Sequence, residues 1–166
     1  MGTPLPSYDT DNKETHCCSL INPQEWDNQE IVFDEELFVK MKTCSFLYVP
    51  LNMGSVMKKT WNRVEKAGAG PDSWVMLSKD LSPWKAEHYL SVKREVPGLK
   101  TVKLPGTYLT KVFEGPYKNA PKWKEEMEGH LRGLGKESKA MFFFYTECPR
   151  CAKHFGKNYV VLFAQV

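Results

Sequence analysis

The sequence predicts an α+β fold made of two similar β-α-β-β halves, and three observations carry that expectation. The order strand, helix, strand, strand is read twice along the chain. The two helices bear Trp61 and Trp123 at equivalent places. Val96-Pro97-Gly98, the strongest turn signal in the sequence, separates the copies. With 166 residues, 42% of them hydrophobic, the chain has enough apolar material for one shared core. Two helices on one face of a shared antiparallel sheet is the expected arrangement, with a groove between the halves as the place for a ligand.

Residues to about Thr15 are polar and aperiodic and read as a mobile tail. Leu20 to Phe33 follows, an irregular lead-in with isolated anchors Ile21, Trp26, Ile31 and Phe33. Residues 1–35 are therefore set apart from a domain over 36–166, whose halves run about 36–98 and 99–166. Leu37 to Val49 is rich in β-formers and stops at Pro50, which lacks a ladder donor. Asn52 stands where a helix cap belongs, and Met53, Val56, Met57, Trp61, Val64 and Ala67 recur at helical spacing until Gly68. Ser73 to Leu77 and Ala86 to Arg94 read as strands around an Asp80–Trp84 loop. The second alternates, with His88, Leu90 and Val92 on one side and Glu87 and Tyr89 on the other.

In the second half, Thr101 to Phe113 reads as a strand broken near Pro105-Gly106. Asn119 is the expected cap of a helix with Pro121 in its first turn and Ala120, Trp123, Met127, Leu131 and Leu134 along one side. Met141 to Tyr145 and Tyr159 to Val166 complete the repeat, with a short helical turn over 147–156.

Composition excludes several classes. The formal charge is only +3, from 23 basic against 20 acidic residues, without the basic stripe of a nucleic-acid binder. No run approaches the roughly 18 apolar residues of a membrane span, and the N-terminus resembles no signal peptide. A cytoplasmic protein with no nucleic-acid or membrane partner, a monomer or homodimer, is expected. Five cysteines, an odd number, argue against a disulfide framework.

Aromatic residues are the first functional signal. Trp61, Trp84, Tyr89, Trp123, Phe143, Tyr145 and Phe163 could line a cage for planar or cationic molecules, at about 0.5–2 kcal/mol per good contact, or could simply fill the core. Trp84 stands out because a Pro-containing loop gives it less to pack against. The second signal is Glu87 and Glu114, each a candidate acid, base or counter-charge if withdrawn from water. Third, Cys148-x-x-Cys151 with His154 could hold three corners of a zinc site, with His16, Cys17 or Cys18 as a fourth ligand. The same cysteines could act in redox chemistry or only pack a turn, and packing is the reading adopted, with no metal or cofactor implied.

Phe113-Glu114-Gly115-Pro116-Tyr117, a strand end running through Gly-Pro-Tyr into a helix, resembles the GyrI-like superfamily. The segment Cys148-Pro149-Arg150-Cys151-Ala152-Lys153, continuing into Gly156-Lys157-Asn158-Tyr159, is similar to a stand-alone branch labelled as hydrolases. The resemblance implies an SHS2-type tandem repeat and a cleft for hydrophobic, often cationic or planar, molecules. It adds Tyr117 to the ligand-binding set. The sequence departs from the family at Glu114, where a His or other polar residue commonly stands, and in a hydrolase of this fold a carboxylate such as Glu114 would direct the water. Binding of such a molecule, as in xenobiotic sequestration, is the function expected. The alternatives are hydrolysis of strained electrophiles such as cyclopropane-bearing alkylators and a cysteine-based metal or redox role.

Overall fold

The computed structural model describes residues 5–6, 21–71, 74–146, 151, 153–154 and 156–166. In chain order the elements are α1 (Pro23–Trp26), β1 (Glu30–Phe33), β2 (Leu37–Phe46), β3 (Val49–Pro50), α2 (Met53–Lys66), β4 (Met76–Ser82), β5 (Lys85–Val92), β6 (Thr101–Lys103), β7 (Gly106–Glu114), a single 3-10 turn (Tyr117–Asn119), α3 (Ala120–Gly133), β8 (Ala140–Tyr145) and β9 (Tyr159–Gln165). The class is α+β, with antiparallel pairing and few helices. Two compact units divide the chain, one of Asp34–Pro105 and one of Met1–Phe33 with Gly106–Val166. β6 belongs to the first because it pairs with β2, and β1 to the second because it pairs with β7.

In the Asp34–Pro105 unit, β5 lies between β4 and β2. The other edge of β2 receives β6 at its start and β3 at its end. Helix α2 packs by Val56, Met57, Trp61 and Val64 onto Val39, Met41, Leu90 and Val92, so the helical spacing read from sequence does bury one side. The helix stops at Gly68, whose φ of 60° only glycine adopts without cost, and the next amides turn back to the carbonyls of Val64 and Glu65.

In the other unit, β7, α3, β8 and β9 follow one another along the chain. β9 is central between β7 and β8, and β1 extends the sheet beyond β7. Trp123, Met127 and Leu131 of α3 close over Phe113, Met141, Val160 and Leu162.

Several expectations change. The first strand does not run straight to Val49, because Leu47 and Tyr48 turn it into a hairpin. The segment 80–84 is mostly strand: β4 continues to Ser82 through an irregularity in its pairing with β5, leaving a tight turn at Pro83 and Trp84. Asn52 and Asn119 occupy cap positions, yet neither side chain caps its helix. Asn52 Oδ1 instead accepts from the Cys44 amide at 2.9 Å, fixing the hairpin end against the helix start. Leu134, read as part of the α3 apolar side, is 53% exposed because the helix ends at Gly133. The expected tail over 1–15 lies outside the described residues except for 5–6.

Candidate functional site

Period-two alternation sorts the aromatic candidates in the unit that holds α3. Along β8, Met141, Phe143 and Tyr145 face the helix, whereas Phe142 and Phe144 face the other way. The Gly-Pro-Tyr turn brings Tyr117 to the same side as Tyr145, with ring centroids 5.5 Å apart at 74°. Phe143 stacks on Tyr145 at 5.8 Å and 9°. Beneath them Trp123 stacks on Phe113 at 5.7 Å and is only 4% exposed, so it serves as core. Tyr117, Phe143 and Tyr145 are each half-buried and pack against that closed core. Phe163 is not with them. It lies on the opposite side of the sheet, fully buried against Trp26 and Phe33, because β9 alternates out of phase with the expected cage. Glu114 ends β7 exposed, turned to the side opposite Phe113.

In the Asp34–Pro105 unit, Trp61 is half-buried, 6.3 Å from Trp74, and its indole N–H donates to Glu65 at 2.7 Å. Trp84 is 51% exposed at its hairpin tip, beside Phe46. Glu87 and Tyr89 are both buried, since β5 is a central strand closed on both faces. The Tyr89 hydroxyl donates to Glu87 at 2.5 Å, and Lys40 from β2 lies 3.1 Å from the same carboxylate. Desolvation pushes the Glu87 carboxyl upward, but the Tyr89 hydrogen bond, followed by Lys40 and Lys79, outweighs it and holds the group below the usual range.

Sequence reasoning missed the partners of His88. On the α2 side of the sheet, Ser78 Oγ stands 2.7 Å from Nδ1 and Thr43 Oγ1 stands 2.8 Å from Nε2. The imidazole is thus held across three strands, buried, and burial depresses its pKa from 6.5 to about 4. A neutral ring fits, because one nitrogen can accept from one hydroxyl while the other donates to the second. Register alone joins Thr43, Ser78 and His88, and no local motif signals it.

Cys151 is buried and His154 exposed, whereas Cys148, His16, Cys17 and Cys18 lie outside the described residues. Among the described residues no group of three His, Cys, Asp or Glu side chains is placed to hold a metal ion. An open depression of about 460 Å³ beside Glu30, Thr107, Lys136, Glu137 and Val166 contains none of the expected site residues. No described helix is long and apolar enough to cross a membrane.

These features define an α+β protein with antiparallel sheets and partly open aromatic surface. Residues 8–166 match the family model described as Bacterial hydrolase, and the chain belongs to that family. No curated protein matches the chain.

Proposed function

We propose that the protein binds a small, largely apolar molecule, planar or cationic, against the rings of Tyr117, Phe143 and Tyr145. The observation that carries this reading is their half-buried position over a core that Trp123 and Phe113 already close. Those rings keep partly exposed aromatic surface that the core does not consume, and such surface attracts flat rings and cations. The resemblance to GyrI-like proteins, with their tandem SHS2-type repeat and affinity for such molecules, supports the same reading. Xenobiotic sequestration is the role it suggests.

Membership of a hydrolase family favours a second reading, in which the bound molecule is an electrophile that takes up water. A carboxylate would then direct the water. Glu114, the candidate carboxylate in the same unit as the rings, stands exposed at the end of β7.

Titrating the protein with a panel of planar cationic and neutral aromatic compounds, followed by mass spectrometry of each mixture, tests both. Saturable quenching of tryptophan emission is expected, with Tyr145→Ala and Tyr117→Ala each weakening affinity by roughly 3–30-fold. Unchanged affinity in both variants would remove these rings from the site. Product formation that Glu114→Gln abolishes, with binding kept, would establish the hydrolytic reading and identify its carboxylate.

A further inference from the structure

The β2–β3 hairpin breaks the usual rule for turns. Its two central residues, Leu47 and Tyr48, have φ of 48° and 69°, a conformation in which Asn-Gly is favoured and bulky side chains are strained. The same turn exposes its apolar side chains: Phe46 57%, Leu47 58%, Tyr48 58%, Val49 62% and, just after it, Leu51 68%. Beside it stands the tip of the β4–β5 hairpin, tied on by Ser45 N–H to the Trp84 carbonyl at 2.8 Å and Tyr48 N–H to the Pro83 carbonyl at 3.0 Å. Trp84, 51% exposed, lies 5.6 Å from Phe46 ring to ring. About half of six such side chains, at about 150–250 Å² each, amounts to roughly 450–750 Å² of mostly apolar surface. The largest patch on a typical monomer is about 300–600 Å².

Charge selects the occupant. The sequence holds no acidic residue between Glu36 and Glu65, a stretch that includes the whole hairpin. Among the described residues, Lys42 on β2, Lys58 and Lys59 on α2 and Lys85 next to Trp84 are exposed and close to the tips in the chain, and Asp80 is the exposed carboxylate nearest to them in sequence. A second copy docked on this patch would bring two lysine collars of like sign together. An anionic lipid surface complements them instead, while Trp, Tyr and Phe suit the headgroup boundary and lysine stems reach past it to the phosphates. We propose that the paired hairpin tips around Phe46–Leu51 and Trp84 dock peripherally on anionic membranes. This is a surface contact, for which no spanning helix is required.

The test is flotation of the full chain with phosphatidylcholine vesicles, with and without about a quarter phosphatidylglycerol. Binding to the anionic vesicles is expected, weaker on neutral ones and reduced by added salt. Trp84 emission should be quenched by lipids brominated in their chains, an effect missing in Trp84→Phe. Leu47→Asp and the pair Lys58→Glu with Lys59→Glu should each weaken binding by about tenfold or more. These positions are exposed, so unchanged near-ultraviolet circular dichroism will show that the variants fold. Absence of flotation with anionic vesicles overturns the proposal. So does a concentration-dependent dimer, seen by light scattering and abolished by Leu47→Asp, without lipid binding, which would make a second copy the occupant.

Discussion

Lowering the pH from 7 to 4 is expected to cost the fold about 3 kcal/mol through His88 alone. The sign follows from its two states. Unfolded, the imidazole titrates near 6.5; folded, burial beside Ser78 and Thr43 depresses it to about 4. Above 6.5 both states are neutral and the full stability is present. As pH falls through this window the unfolded chain takes up a proton that the folded one refuses, and below about 4 the loss from this group levels off. Glu87, held below the carboxylate range, adds a further loss at still lower pH, as its contacts with Tyr89 and Lys40 are protonated away. Urea titrations at half-unit pH steps would show the slope. His88→Gln should flatten it between 6.5 and 4 while leaving the lower segment. A slope unchanged in that variant would mean that His88 does not carry it. Tyr108 makes the mirror case at the alkaline end. Burial pushes its phenol from 10 up to about 12, so stability is full below 10 and declines above it.

Periodic features were the legible part. Both long helices follow from apolar spacing, and the sides that spacing marks are the sides that pack. What escaped depends on register between distant strands. Alternation along β5 put His88 opposite Glu87 and Tyr89. It could not show that Thr43, 45 residues earlier, and Ser78, ten residues earlier, would meet the two ring nitrogens. Phe163 was misplaced for a related reason: every second residue of β9 faces the sheet's other side, and that phase is set by pairing with β7 and β8. The hairpin at Leu47 and Tyr48 was hidden by its composition. Apolar residues at a turn read as strand, because turns are recognised by the Gly, Asn and Pro this one lacks.

The lead-in before β2 shows the same limit and gives the largest single-residue effect expected. Trp26, Ile31 and Phe33 stood out as anchors without a period, since α1 is one turn and β1 only four residues long. Their structure is supplied by β7, some 80 residues later. The Thr110 hydroxyl donates to the Trp26 carbonyl at 2.5 Å, Thr110 N–H donates to the Gln29 carbonyl at 2.9 Å, and Val112 N–H donates to Asp27 Oδ1 at 2.8 Å. The Trp26 ring is fully buried, 5.5 Å from Phe144 and 6.3 Å from Phe163. Trp26→Ala removes the largest side chain of that cluster and leaves a cavity that the paired strands can close only in part, so it should cost about 3–5 kcal/mol. Against a total of about 5–15 kcal/mol, this takes a large share of the margin. Asp27→Ala, which leaves the Val112 amide without its acceptor, should cost less, about 1–2 kcal/mol. Equilibrium urea unfolding of both variants measures the two values. A Trp26→Ala loss below about 1 kcal/mol would mean that the lead-in is an attachment to the β7–β9–β8 sheet and not part of its core.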